Sequence, residues 1–119
     1  MPDMDGADTL PINFKLVLDR FDGDQDFMKE MFQQYKEQLS ERLFEIRTAV
    51  QDSDANRLCR LAHNLKGVSL NFSADSVSQV ALTLEEISKH KALTDAPILV
   101  EQLELEARRV TAYLSDHGY

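Results

Sequence analysis

The clearest pattern in the chain is RLCRLAHNLKGVSLNFSA, residues 57–74. Five of its apolar residues are spaced three, four, three and four positions apart: Leu58, Leu61, Leu65, Val68 and Phe72. This spacing predicts an α-helix from about residue 54 to 71 that buries one stripe of side chains. His63 lies roughly 160–200° around the helix from Leu61 and Leu65, so we expect its imidazole to face solvent.

Two cations and a glycine surround His63 on this helix. Lys66 and Gly67 follow it at i+3 and i+4, and Arg60 precedes it at i−3, so all three lie one turn away. An imidazole is mostly unprotonated near neutral pH and can attack an activated phosphorus, while a neighbouring ammonium offsets phosphoryl charge. Glycine costs about 1 kcal/mol relative to alanine inside a helix. We therefore expect Gly67 to provide space, so that another protein's active site can approach His63.

The sequence resembles a known family in three segments: AHNLKG at 62–67, NFSA at 71–74 and LE at 84–85. It is similar there to the histidine-containing phosphotransfer (HPt) domain, and the similarity extends over roughly residues 10–117. One departure is Ser73, where the family often has glycine. That difference bears on the turn between two helices and leaves the histidine unaffected.

The resemblance implies a role for each residue around His63. His63 would carry the phosphoryl group on Nε2, Lys66 would stabilise its charge, and Gly67 would be the small residue beneath the docking surface. A receiver domain with an aspartyl phosphate would dock on this face, and a second receiver would later remove the group. We expect no cofactor and no metal in the chain itself, since the receiver supplies Mg²⁺. Independently of the resemblance, charge and helical position give Arg57, Arg60 and Leu70 as expected partner-binding residues, with Asn64 and Ser69 as weaker candidates.

The rest of the chain predicts further amphipathic helices. A short helix at about 13–20 is followed by a long one at 25–51, and after the His63 helix come a third long helix ending near His90 and a final one. The expected helix caps are Asp24, Ser53 or Asp54, Ser73 and Thr94, with Pro97 tolerated in the last helix's first turn. The fold class is therefore all-α: an antiparallel up-down four-helix bundle with a short extra N-terminal helix.

Length, charge and cysteine content narrow the function further. The chain has 119 residues, a net charge of −8 and one cysteine. We expect a flexible arm at residues 1–11 and one bundle domain at 12–119, monomeric and cytoplasmic. The acidic charge argues against nucleic acid, and the lack of a long apolar run or secretion signal argues against membrane insertion. Locally, Arg57, Arg60 and Lys66 form a basic group that would attract an acidic receiver.

Three functional interpretations remain open at this point. The first is a phosphorelay intermediate that carries a phosphoryl group between receivers, one of which belongs in some systems to a hybrid sensor histidine kinase. No nucleotide-binding glycine-rich loop occurs in the sequence, so we expect no ATP-dependent kinase activity. The second is a helical adaptor without phosphotransfer. The third is the phosphoacceptor domain of a chemotaxis-type histidine kinase, which requires a catalytic domain elsewhere in a longer chain.

Overall fold

The chain is described by a computed structural model, which covers residues 10–119. Most of the arm predicted at residues 1–11 therefore lies outside the described residues. The described part is all-helical: α1 (Phe14–Arg20), α2 (Gln25–Gln51), α3 (Ala55–Asn71), α4 (Asp75–Lys89), a 3-10 turn (Leu93–Asp95) and α5 (Ala96–Asp116). Four long helices and one short N-terminal helix confirm the predicted fold class.

Aspartate side chains cap the starts of α2 and α3. The Asp24 side chain accepts a hydrogen bond from the backbone N–H of Phe27, and Asp54 does the same for Arg57. Each satisfies an N–H that has no partner within its own helix. From its cap, α2 runs for 27 residues, which is about 40 Å. It is long enough to span the whole bundle.

The turn between α3 and α4 differs from the prediction. Ser73 was expected to cap α4, but the N-cap is Ala74, and no side chain bonds the first turn. Ser73 instead adopts a φ of 54°, in the left-handed region that glycine tolerates best. Its Oγ accepts a hydrogen bond from the backbone N–H of Asn13, 2.6 Å away. Ser73 therefore connects this turn to the start of α1.

The start of α5 also differs from the prediction. Thr94 was expected to cap it, but Thr94 lies inside the 3-10 turn, and α5 begins with Asp95 as an N-cap whose side chain makes no capping bond. Pro97 does occupy the first turn, as expected. Its missing N–H costs nothing there, because the first N–H groups of a helix have no carbonyl partner.

Cross-helix contacts show that α2 and α3 run antiparallel. Tyr35, early in α2, bonds Ser69, late in α3, whereas Arg42, later in α2, bonds Asn64, earlier in α3. The apolar stripe of α3 lies in the core, with Leu58, Leu65 and Phe72 buried and the other two members half-buried. The opposite side of α3 consequently faces away from the bundle axis.

Aromatic residues close one end of the bundle. Phe14 of α1 stacks on Tyr113 and Tyr119 at centroid distances of 5.5 and 5.2 Å, and Phe32 meets Phe14 edge-on at 5.7 Å. The short helix α1 thus covers one end of the core. None of the helices between residues 10 and 119 has the length and apolar content needed to cross a membrane.

Candidate functional site around His63

His63 stands on the outer side of α3, as its position relative to the apolar stripe predicts. Its side chain is 68% exposed, whereas its neighbours Ala62 and Leu65 are buried against the other helices. Burial of the stripe fixes the rotation of α3 about its own axis. The imidazole is therefore held outward by core packing on the opposite side of the same helix.

The carboxylate of Glu85, on α4, determines how the imidazole is oriented. His63 Nδ1 lies 2.8 Å from Glu85 Oε2, and only 5% of the Glu85 side chain is exposed. An ionised carboxylate can only accept hydrogen bonds, so Nδ1 carries the ring proton and donates a hydrogen bond to Glu85. The other ring nitrogen, Nε2, then keeps its lone pair. This contact selects the tautomer in which Nε2 is the nucleophile.

Lys66 binds the same carboxylate from the next turn of α3. Its Nζ donates to Glu85 Oε1 over 2.7 Å, and Lys89 Nζ lies 3.7 Å from Oε2. The hydrogen bond from Lys66 lowers the pKa of Glu85 below its usual 4.5; the one from His63 acts in the same direction, while burial opposes both. Glu85 therefore stays ionised at neutral pH despite being almost fully buried.

Packing between α3 and α4 keeps this cluster in register. The Ser78 hydroxyl, on α4, donates to the backbone carbonyl of Lys66 at 3.1 Å, less than two turns from Glu85. A side chain bonded directly to the backbone of the partner helix resists sliding of one helix along the other. The distance from Glu85 to the imidazole is thus set by the helix backbones.

Gly67 leaves open space beside His63. A Cβ placed on Gly67 would meet no atom outside its own helix within 4 Å, and the residue is exposed. Packing inside the domain therefore gives no reason for a glycine here.

The predicted partner-binding residues lie at different places on α3. Arg60 is exposed one turn before His63, while Arg57 is half-buried and about 120° around the helix from it, at the margin of the site. The amide oxygen of Asn64 accepts a hydrogen bond from Arg42 Nε on α2 at 2.9 Å. Of the basic group predicted around His63, Arg60 and Lys66 therefore lie nearest to the histidine along the helix, and Arg57 lies farther from it than expected.

Leu70 and Ser69, two neighbouring candidates, have opposite environments. Leu70 is 47% exposed, two turns beyond His63 and about 20° from its direction. Ser69 is fully buried, and its hydroxyl shares a 2.7 Å hydrogen bond with Tyr35. The suggestion that Ser69 contacts a partner is wrong for that reason. Burial in turn raises the pKa of the Tyr35 hydroxyl, so that residue stays neutral.

Two residues of this region were not assigned a role from sequence. The first is Glu85, which belongs to the family resemblance but was given no function. It is a charged residue within the buried stripe of α4, between Leu84 and Ser88, and a charge at such a position indicates a buried partner. Arg20 Nη1 donates to the carbonyls of Leu70 and Asn71 at 2.6 and 2.8 Å, and so caps the end of α3 from α1. No local sequence signal identifies a contact between residues fifty positions apart.

The described residues contain no group of three or more His, Cys, Asp or Glu side chains arranged to hold a metal ion. The groups at the site are instead the exposed imidazole of His63, the buried carboxylate of Glu85, and the ammonium groups of Lys66 and Lys89. Together they can fix a nucleophilic nitrogen and balance an arriving negative charge.

Comparison with known proteins agrees with this geometry. The structure matches the crystal structure of histidine-containing phosphotransfer protein B (HptB) from Pseudomonas aeruginosa PAO1, with a TM-score of 0.86, 26% identity and coverage of 92% of this chain and 95% of that one. It also matches the HPT domain of a sensor hybrid histidine kinase from Shewanella, with a TM-score of 0.75, 20% identity and coverage of 89% and 92%. No curated protein sequence matches significantly. The family model described as "Hpt domain" matches residues 30–113, and the chain therefore belongs to the Hpt domain family, the histidine phosphotransfer modules of phosphorelays.

Proposed function

We propose that His63 is the phosphoacceptor of this domain and that it takes the phosphoryl group on Nε2 from the aspartyl phosphate of a receiver domain. The observation that carries the proposal is the 2.8 Å contact between His63 Nδ1 and the buried Glu85 carboxylate, which leaves Nε2 as the nucleophilic nitrogen of an exposed ring. Hpt domains are phosphocarrier modules, and their partners are receiver domains of response regulators and hybrid kinases.

In the transfer step, the lone pair of Nε2 forms the N–P bond in line with the bond that breaks. The broken bond joins phosphorus to the receiver's carboxylate oxygen, which leaves with the electron pair. The ring gains positive charge because Nδ1 keeps its proton. Glu85 stabilises this charge directly, in the way a buried carboxylate stabilises a catalytic imidazolium.

The surrounding residues support docking and charge balance. Lys66 offsets the charge of the phosphoryl group, and Gly67 admits the receiver's active site, because a side chain there would project into the open space described above. Arg60 and Leu70 give the exposed face one positive and one apolar contact, with Asn64 beside them and Arg57 at the margin. The receiver brings the Mg²⁺, so the domain needs no cofactor of its own.

The proposed cellular role follows from these parts. The domain acts as a monomeric carrier in the cytoplasm, accepts a phosphoryl group from one receiver and delivers it to another, and has no ATP-dependent kinase activity. An adaptor without phosphotransfer would bind its partner through the shape of the same face, without chemistry at His63. Replacement of His63 would then leave partner binding and signalling output intact. A chemotaxis-type kinase would need a catalytic domain in the same polypeptide.

The direct test is transfer from a panel of receiver domains charged with a labelled small phosphodonor and Mg²⁺. The acceptors are the wild-type protein, His63→Gln and His90→Gln; the last is the matched control, because His90 is an exposed histidine at the end of α4. Label that is acid-labile and base-stable in the wild type and in His90→Gln, and absent from His63→Gln, would establish the proposal. Equal labelling of all three proteins would refute it. Failure of every receiver, beside a known phosphotransfer domain that accepts label, would favour the adaptor.

A further inference from the structure

Lys66 binds the carboxylate of Glu85, which lies on the Nδ1 side of the imidazole and not on the Nε2 side. Its Nζ lies 2.7 Å from Glu85 Oε1, and its side chain is 24% exposed. Under the proposed function, the phosphoryl group arrives at Nε2, whereas Glu85 is bonded to Nδ1. Contact with the phosphoryl oxygens would therefore draw Lys66 away from Glu85.

Departure of Lys66 would remove the strongest partner of a buried carboxylate. Glu85 would keep the imidazole N–H, but its other oxygen would lose its cation, and a buried charge without a partner is unfavourable. This cost opposes the movement of Lys66 and so opposes the phosphorylated state. A second cation within reach of Glu85 would remove the cost.

Lys89 is placed to be that cation. It lies one turn beyond Glu85 on α4, with its Nζ 3.7 Å from Glu85 Oε2 and 3.9 Å from Glu86 Oε1. Both distances are longer than a hydrogen bond, and the Lys89 side chain is 52% exposed. It can close on Glu85 by a rotamer change without moving a helix.

We propose that Lys89 is a positioning residue that takes over Glu85 when Lys66 turns to the phosphoryl group on His63. In the unphosphorylated domain, Lys66 holds Glu85 and Lys89 is shared between Glu85 and Glu86. In the phosphorylated domain, Lys89 holds Glu85 and Lys66 is free to bind the phosphoryl oxygens. This inference rests on the proposed function and adds to it a cation exchange at one buried carboxylate.

The test is the equilibrium of phosphoryl transfer between a receiver and the domain. Lys89→Met keeps most of the side-chain length and removes the charge, and Lys29→Met, at an exposed lysine near the start of α2, is the control for total charge. We expect Lys89→Met to shift the equilibrium toward the receiver by about threefold to tenfold, the range of a partly exposed charged hydrogen bond. Lys29→Met should leave it unchanged, and Lys89→Arg should restore most of it.

A double-mutant cycle distinguishes the exchange from a simple through-space charge effect. In a Lys66→Met background no ammonium can turn from Glu85 to the phosphoryl group, so Lys89→Met should have little further effect. A through-space effect of Lys89 would instead be equal in both backgrounds. Nitrogen NMR of the Lys66 ammonium gives a second readout: its signal should shift on phosphorylation of the wild type and remain in place in Lys89→Met.

The possible failures are distinguishable. If the wild-type domain takes no label on His63, the proposed function fails and this inference fails with it. If His63 is labelled normally but the equilibria of Lys89→Met and the wild type are equal, or the cycle is additive, the cation exchange alone is refuted.

Discussion

Replacement of Glu85 by glutamine should disable the imidazole without altering the shape of the site. In the native domain, Oε1 accepts from Lys66 and Oε2 accepts from His63 Nδ1. A glutamine has one oxygen and one NH₂ group for these two partners. The ammonium should keep the oxygen, since its hydrogen bond is charge-assisted, and the NH₂ group then faces Nδ1. Nδ1 has to accept, so the ring proton moves to Nε2 and the nucleophilic lone pair is lost.

The size of the effect follows from the contacts. To regain the reactive tautomer, the Glu85→Gln protein must give up a hydrogen bond of the charged kind, worth roughly 1.5–3 kcal/mol. Each 1.36 kcal/mol changes a rate by about tenfold. The rate of phosphoryl transfer to His63 should therefore fall by roughly 10- to 150-fold.

Single-turnover transfer from a phosphorylated receiver, stopped by rapid quenching, measures this rate. Glu101→Gln is the matched control, because Glu101 is an exposed glutamate on α5 that takes no part in the cluster around Glu85. Circular dichroism checks that each variant is folded, and nitrogen NMR of His63 reports which ring nitrogen carries the proton. The reasoning is refuted if Glu85→Gln is folded and transfers at the wild-type rate, or if Nδ1 still carries the proton.

Three further perturbations test other parts of the structure. Gly67→Ala should stabilise the domain by roughly 0.5–1 kcal/mol in urea unfolding, because the added methyl group has free space and alanine favours the helix. The same change should slow phosphoryl transfer from a receiver. An unchanged transfer rate would contradict the proposal that Gly67 admits the receiver's active site. Ser73→Ala keeps the positive φ and loses the hydrogen bond that Asn13 donates, whereas Ser73→Gly relieves the backbone strain. In the same unfolding assay the alanine variant should be less stable than the glycine variant by about 1 kcal/mol. Equal stability of the two variants would contradict this. Folding lowers the pKa of Glu85, so the stability that its carboxylate contributes is complete above pH 4.5 and is lost as the pH falls through the pKa of the folded state. The stability advantage of the wild type over Glu85→Gln should therefore shrink in acid. An advantage that does not depend on pH would contradict this.

The helices follow closely from local signals in the sequence. The predicted spans 25–51 and 54–71 correspond to Gln25–Gln51 and Ala55–Asn71. Both the three-and-four spacing of apolar residues and an aspartate at the N-cap act within a single helix, so the sequence expresses them without knowledge of the partners. The same spacing also places His63 outward, because the side opposite a buried stripe must face solvent.

The features that the sequence did not reveal depend on contacts between distant segments. Ser73 resembles a cap residue, but the N–H that it satisfies belongs to Asn13, sixty positions away. Ser69 resembles an exposed polar residue, but Tyr35 crosses from α2 to bond it inside the core. In both cases a small hydroxyl residue serves equally well at a cap, on the surface or in the core, and only the three-dimensional neighbours decide which.

The contact between Glu85 and His63 bears on both halves of a relay. Under the proposed function, the carboxylate stabilises the positive charge that develops on the ring as Nε2 binds phosphorus during acceptance. After acceptance, it holds the proton on Nδ1, so that the imidazole can leave as a neutral group when a second receiver attacks. A base that removed this proton would hinder the second step, because departure would then produce an imidazolate. A buried carboxylate whose pKa is held low by Lys66 accepts the hydrogen bond without taking the proton. Under the proposed function and the exchange proposed above, a cation on Glu85, Lys66 before the transfer and Lys89 after it, keeps the phosphoryl group transferable in both directions.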